Sequence, residues 1–261
     1  MKTTRIFSEM EIPSVYVCGA SMQGDREYQQ DAMMYKRSGN GVLAVVCDGM
    51  GGLEAGERAS MEAVRIMEEK FDQLAPEADL PEFFKQSAVA MDSVIAGLSD
   101  KDGRQIQAGT TITAVYTRKN ELYWMSVGDS KLYLFRDGEL EQVTKPHNYR
   151  TWMNHQALSR ERDTIISGAR QEALVSYLGM DGIRLLDYNE KPFLLRKGDI
   201  ALLCTDGLYK AIPEEGIRQI LDACREEFDI TAETLIDTVQ EYGIKPLDNC
   251  TAVLLKYLEE D

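Results

Sequence analysis

The stretch from Leu43 to Gly52, LAVVCDGMGG, decides how the rest of the chain reads. Five apolar residues, Leu43 to Cys47, run into an aspartate and then into a glycine-rich turn. A short apolar run bounded by turn residues predicts a buried strand. Asp48 then stands where the strand leaves the core, and Gly49, Gly51 and Gly52 permit a sharp turn and a close backbone approach. An amphipathic helix is expected over residues 54–74, with Ala63, Val64, Met67, Phe71 and Leu74 on one stripe. Strand, carboxylate, glycine turn and helix start suit a cation or a phosphate. They equally suit a tight turn whose aspartate caps the helix. A P-loop is excluded, because no lysine and hydroxyl close a longer glycine loop.

A chain of 261 residues suits one large domain or two small ones. Its 44% hydrophobic and 28% charged content is that of a soluble globular protein. A net charge of −15 speaks against a general binder of nucleic acid or anionic membrane, since nothing offsets phosphate repulsion. It also hints that some of the 44 acidic residues face a cation. Five scattered cysteines without metal-ligand spacing point to a reducing compartment rather than a disulfide framework. No apolar stretch reaches membrane-spanning length, and MKTTRIFSEMEI lacks a signal-peptide core. The expectation is a cytoplasmic, stand-alone protein with no membrane or nucleic-acid partner.

Along the chain, a first strand is expected at residues 15–20, then a polar loop holding Arg26. Residues 32–37 and 42–47 flank Ser38-Gly39-Asn40-Gly41, a hairpin signal. A second helix opens at Leu80-Pro81, with Phe84, Ala88, Met91, Ile95 and Leu98 on one face. Strands follow at residues 111–118, 122–127 and 131–136, punctuated by Lys119-Asn120, Gly128-Asp129-Ser130 and Asp137-Gly138. Periodicity fades from Lys145 to Leu186, which reads as a loop-rich or short-helical insertion. A buried strand at 200–204 ends near Asp206-Gly207, two helices cover 214–227 and 231–242, and residues 250–257 form the last strand. Hairpins, helix pair, hairpins and helix pair make an α+β sandwich, with antiparallel sheets between helices.

Four aspartates share one kind of position. Asp31 and Asp248 precede strands, whereas Asp48 and Asp206 follow them. In an antiparallel hairpin, the residue before one strand and the residue after its neighbour lie at the same sheet end. Asp31 and Asp48 are paired in this way, Asp206 and Asp248 are expected to follow suit, and Asp129 is placed to join them. Carboxylates gathered there repel one another unless cations compensate, and all-oxygen ligation selects hard ions such as Mg²⁺ or Mn²⁺.

The ordered set resembles the metal-dependent serine/threonine protein phosphatases of type 2C. The pieces are Arg26 with Asp31-Ala32, DGMGG at 48–52 with Gly56-Glu57 and Ala59-Ser60, Gly109-Thr110-Thr111, Val127-Gly128-Asp129-Ser130, LLCTDGL at 202–208, and Asp248-Asn249. DGMGG looks like the bacterial branch. The resemblance implies one catalytic domain over residues 1–261, a four-layer α-β-β-α sandwich with a two-metal centre at one end. It implies hydrolysis of phosphoserine and phosphothreonine on proteins by a metal-activated water, without a covalent phosphoenzyme. Carried over by position, Asp48 bridges two Mn²⁺ or Mg²⁺ ions and the Gly49 carbonyl completes one coordination sphere. Asp206 and Asp248 hold one ion, Asp31 binds mainly through water, and Arg26 clamps the phosphate. Asp129, with Asp206, matches the place of a third, weaker ion in related enzymes. Residues 145–179 correspond to a flap beside the cleft. The implied partners are proteins phosphorylated by a serine/threonine kinase, met by a monomer.

Three departures stand out. Gln30 replaces a common acidic residue, Lys131 stands where arginine is usual, and Met50 replaces a histidine of animal members thought to act as general acid. The expected proton donor is therefore water, on a third ion held by Asp129 and Asp206. His147 and His155 are expected as solvated loop residues, and Cys47 and Cys204 as small core residues. Two rival functions remain, a non-catalytic binding module on the same fold and a metal-dependent phosphodiesterase for small nucleotides. Retention of the core aspartates opposes the first, and the acidic balance opposes nucleic acid for the second.

Overall fold

In the computed structural model, residues 3–4, 15–38, 41–52, 55–157 and 171–258 are described. Glycine and asparagine at 39–40, Glu54 at the expected helix start, residues 158–170 of the insertion and nearly all of MKTTRIFSEMEI lie outside them. In chain order the elements are β1 (Thr3–Thr4), β2 (Val15–Met22), β3 (Asp31–Ser38), β4 (Gly41–Met50), α1 (Ala55–Asp72) and α2 (Leu80–Ala96). Next come β5 (Gly109–Thr110), β6 (Ile112–Arg118), β7 (Glu121–Val127), β8 (Lys131–Arg136), β9 (Glu139–Gln142) and α3 (Tyr149–Ala157). The chain closes with β10 (Asp187–Tyr188), β11 (Phe193–Leu194), β12 (Ile200–Cys204), α4 (Asp206–Tyr209), α5 (Glu214–Ala223), a 3-10 turn at Phe228–Ile230, α6 (Thr231–Tyr242) and β13 (Cys250–Tyr257).

Among the described residues these strands form two antiparallel sheets. One runs β1-β2-β13-β12-β8-β9 and the other β10-β7-β6-β4-β3, with β11 on β7 and β5 on β4. The unbroken apolar runs have a simple cause: strands in the middle of the molecule are buried on both faces. Along β4, Val42, Ala44 and Val46 pack between the sheets, while Leu43, Val45 and Cys47 pack beneath α1 and α2. In β12, Ala201 and Leu203 face the same inter-sheet core, and Leu202 and Cys204 face α5 and α6. Helix, sheet, sheet and helix therefore stack as the four layers read from the sequence.

Local chemistry fixes the ends. Asp79 caps α2 by accepting the Glu82 N–H at 2.9 Å, and Pro81 occupies the first turn, where no intrahelical donor is needed. Asp137 and Gly138 both take positive φ, 53° and 87°, as a two-residue hairpin requires. The fading pattern from Lys145 to Leu186 resolves in part into α3, and the two-residue strands β10 and β11 follow it. No helix among the described residues is long and apolar enough to cross a membrane.

Candidate active site

Asp31 opens β3 and Asp48 lies near the end of β4, and the two are direct partners across the ladder. In the other sheet, Asp206 heads α4 immediately after β12, and Asp248 lies two residues before β13. Asp129 sits in the crossover from β7 in one sheet to β8 in the other. The structure thus brings all five predicted aspartates to the same end of the sandwich, where Asp206 and Asp248 raise Asp31, Asp31, Asp206 and Asp129 raise Asp48, and Asp206 raises Asp129.

Asp31 is 7% exposed, and its Oδ2 accepts the hydroxyls of Thr205 at 2.8 Å and Thr251 at 2.7 Å. Its Oδ1 is buried and has no hydrogen-bond partner. Burial pushes the Asp31 carboxyl up to about 7, against the two threonines, with repulsion from Asp206 and Asp248 adding to the rise. Burial likewise raises Asp48 well above the usual carboxylate range, helped by Asp31, Asp206 and Asp129. Asp129 rises to about 6 through burial and the charge of Asp206. Three carboxyls that resist ionisation side by side, one with an orphaned oxygen, fit a site completed by cations. Among the described residues, no three of these ligands already close around a single point.

Two cations of the chain partly compensate the charge. Arg26 Nη2 bonds Asp248 Oδ2 at 2.7 Å, and Lys210 Nζ bonds Asp206 Oδ2. Arg26 is held there by its loop. Asn249 Oδ1 accepts the Gln30 N–H at 2.8 Å, while its Nδ2 donates to the carbonyls of Gln23 and Tyr28 at 2.7 and 3.1 Å. The Arg26 side chain is 58% exposed, so the guanidinium is tethered at one corner and open to solvent.

The backbone around Asp48 is clamped by the Gly109-Thr110-Thr111 motif. The Asp48 N–H donates to Thr111 Oγ1 at 3.0 Å, and its carbonyl accepts the Thr111 N–H at 2.9 Å and Thr110 Oγ1 at 3.0 Å. The Gly49 N–H donates to the Gln30 carbonyl at 3.0 Å. A Cβ at Gly49 would lie 2.1 Å from the Gly56 carbonyl oxygen, which explains the glycine at that point. Gln30, the departure noted above, acts as a neutral bridge whose Nε2 also donates to the Gly51 carbonyl at 3.3 Å. Lys131, a second departure, lies over the Tyr209 ring at 4.2 Å, and Tyr209 OH donates to the Asp129 carbonyl at 3.1 Å.

The protein phosphatase 2C model matches residues 18–242. The chain belongs to that family. It is 27% identical over 229 residues to the serine/threonine phosphatase stp of Listeria welshimeri, covering 85% of this chain and 87% of that protein. Its fold superposes on the crystal structure of the Mycobacterium tuberculosis serine/threonine phosphatase PstP/Ppp with a TM-score of 0.77 and 28% identity, over 94% of this chain and 99% of that one. A structure of the PstP catalytic domain in complex with two manganese ions matches with a TM-score of 0.74 and 27% identity, over 94% and 99%.

One expectation for this family member is corrected. His147 is no solvated loop residue: it is 3% exposed, its Nδ1 accepts the Gly128 N–H at 3.1 Å, and Nε2 stands 3.3 Å from Asp187 Oδ2. Cys47 and Cys204 are fully buried core residues as expected, and burial pushes the Cys204 thiol up to about 12. Sequence reading missed Lys210 and the clamping role of Asn249. It also missed Asp92, whose carboxylate accepts the N–H groups of Gly179, Met180 and Gly182 at 2.6–2.9 Å. Asp92 was detectable as a carboxylate on the buried side of α2, beside Ala88, Met91 and Ile95.

Proposed function

We propose that this chain hydrolyses phosphoserine and phosphothreonine on proteins at the cluster of Asp31, Asp48, Asp129, Asp206 and Asp248. The observation that carries the reading is Asp31, buried, fixed through one oxygen by two threonines, and orphaned at the other beside Asp48. Oxygen donors of this kind suit Mn²⁺ or Mg²⁺. Asp48 would bridge two ions, with the Gly49 carbonyl on one of them. Asp206 and Asp248 would hold one ion, Asp31 would act mainly through water, and Asp129 with Asp206 would serve a third, weaker one. When bound, such ions supply Lewis acidity and make water acidic enough to deprotonate near neutral pH.

The chain's own residues do the rest. Thr205 and Thr251 stop Asp31 from rotating, and Thr110 and Thr111 fix the Asp48 backbone, so the carboxylates are preorganised. Arg26 presents a forked cation that grips phosphoryl oxygens and offsets their charge. Met50 cannot give a proton to the departing serine or threonine oxygen, and the His147 Nδ1 is committed to Gly128. Solvent water is left as the donor. Burial pushes the thiols of Cys18, Cys47, Cys204 and Cys250 up, and these cysteines take no part.

Residues 1–261 act as one catalytic domain, with 145–179 as a flap. The inter-sheet core, shared by β2, β4, β6, β8, β12 and β13, supports that unity. The domain works as a cytoplasmic monomer opposite a serine/threonine kinase, and five buried free cysteines support a reducing compartment. The deciding assay measures phosphate released from a phosphothreonine peptide with and without Mn²⁺, beside a cyclic dinucleotide. Mn²⁺-dependent release from the peptide alone is expected. Cleavage of the dinucleotide alone, or of neither substrate, overturns the reading.

A further inference from the structure

His147 has no part in the chemistry just described, yet it holds the loop that carries Asp129. Its backbone N–H donates to the Gly128 carbonyl at 2.8 Å, and its Nδ1 accepts the Gly128 N–H at 3.1 Å. One residue therefore satisfies both backbone groups of Gly128. A nitrogen that accepts must carry its lone pair outward, so in the neutral ring the proton sits on Nε2. That nitrogen stands 3.3 Å from Asp187 Oδ2 without making a hydrogen bond, and the nearby carboxylate charge favours the proton on the same side of the ring.

Gly128 has no side chain with which to anchor itself, and its φ of 108° is open to few other residues. It lies flat on Thr111, where a Cβ would come within 2.5 Å of Cγ2. From His147, near the start of the flap, the connections run on to its far end. The His147 carbonyl accepts the Val175 N–H at 2.8 Å, and Leu178 exchanges two backbone bonds with Thr110, at 2.9 and 3.0 Å. Thr110 in turn holds the Asp48 carbonyl. The loop before Asp129 and the far end of the flap thus meet at one residue, the loop at its ring and backbone N–H and the 173–178 segment at its backbone carbonyl.

We propose that His147 is the positioning residue for Asp129: as the Nε2-protonated tautomer, it pins Gly128 to the 173–178 segment and so sets where the Asp129 carboxylate stands. The role in ion binding rests on the placing of Asp129 in the metal centre above. Asparagine is the informative substitution, because its Oδ1 hangs from Cγ as Nδ1 does and accepts the same N–H. Leucine fills similar space but leaves the buried Gly128 N–H without a partner.

The test begins on metal-free protein. The chain has two histidines, so long-range ¹H–¹⁵N spectra of wild type and His155→Gln assign the His147 ring. An Nε2–H tautomer is expected, and an Nδ1–H tautomer overturns the proposal. Gly128 amide exchange is expected to quicken roughly tenfold to a hundredfold in His147→Leu and to stay near wild type in His147→Asn. Mn²⁺ titration by calorimetry should show His147→Leu losing affinity at the weakest site and His147→Asn recovering it. Equal affinity in wild type and His147→Leu overturns the positioning role alone, whereas no Mn²⁺ binding by wild type overturns the metal-centre reading itself. Should His147→Leu not fold, the wild-type tautomer and the binding retained by His147→Asn decide the matter.

Discussion

Replacing Asp31 by asparagine should make the metal-free protein more stable while removing much of its response to Mn²⁺. The amide keeps an oxygen for the Thr205 and Thr251 hydroxyls and loses only the charge. In the wild-type protein the Asp31 carboxyl is raised from 3.8 to about 7, chiefly by burial. The folded state then holds a proton that the unfolded chain has released, so this group's contribution to stability falls as pH rises from about 4 to about 7. Three pKa units at about 1.36 kcal/mol each set a ceiling of about 4 kcal/mol above that window. Relaxation around the new amide absorbs part of it, leaving about 2–4 kcal/mol, or about 4–16 °C in Tm for a chain of this size. Thermal unfolding in chelator at pH 7.5 and at pH 4.5 checks this: the gain from Asp31→Asn should be large at the first pH and small at the second. Adding Mn²⁺ at a hundred times its Kd should then stabilise wild type by about 2.7 kcal/mol and Asp31→Asn by much less. An Asp31→Asn protein with unchanged or lower Tm in chelator at pH 7.5 would refute the reasoning, since the charge would then cost the fold nothing.

Three further outcomes are expected. Chelator should abolish phosphopeptide hydrolysis and Mn²⁺ restore it, while Asp48→Asn and Asp206→Asn stay nearly inactive at any Mn²⁺; full activity of either variant in metal-free buffer contradicts the two-ion reading. Arg26→Ala should lower kcat/KM by about tenfold to a thousandfold, equivalent to about 1.4–4 kcal/mol, and steady-state kinetics equal to wild type would make Arg26 merely a partner of Asp248. Gly49→Ala places a Cβ 2.1 Å from the Gly56 carbonyl oxygen and 2.6 Å from that of Gln30, so about 1–3 kcal/mol should be lost and a thermal melt should show it.

What could be read in the sequence was whatever local pattern dictates. The Asp31–Asp48 pairing followed from hairpin geometry, because strand register places the first residue of β3 opposite the residue that follows the apolar run of β4. The double-sided burial of β4 and β12 was visible as uninterrupted apolar runs. The strands β10 and β11 were invisible, since two residues carry no period and owe their place to β7 alone. His147 was misjudged for a related reason. Nothing nearby in sequence buries it, and its partners, Gly128 and Asp187, are supplied by other parts of the chain. Asp92 hid among apolar neighbours because its role is to receive backbone donors from 87 to 90 residues away.

The five aspartates are divided between the two sheets, and this has a mechanical consequence. Asp31 and Asp48 ride on one sheet, Asp206 and Asp248 on the other, and Asp129 on the strap between them. Without counter-ions their repulsion works as a wedge driven into one end of the sandwich, opposed by the apolar layer that glues the sheets together. On the proposed reading, an ion shared across the gap would turn the wedge into a rivet. Loading the site and tightening the mouth of the sandwich would then be one motion, and resistance of that end to proteolysis should rise and fall with ion occupancy.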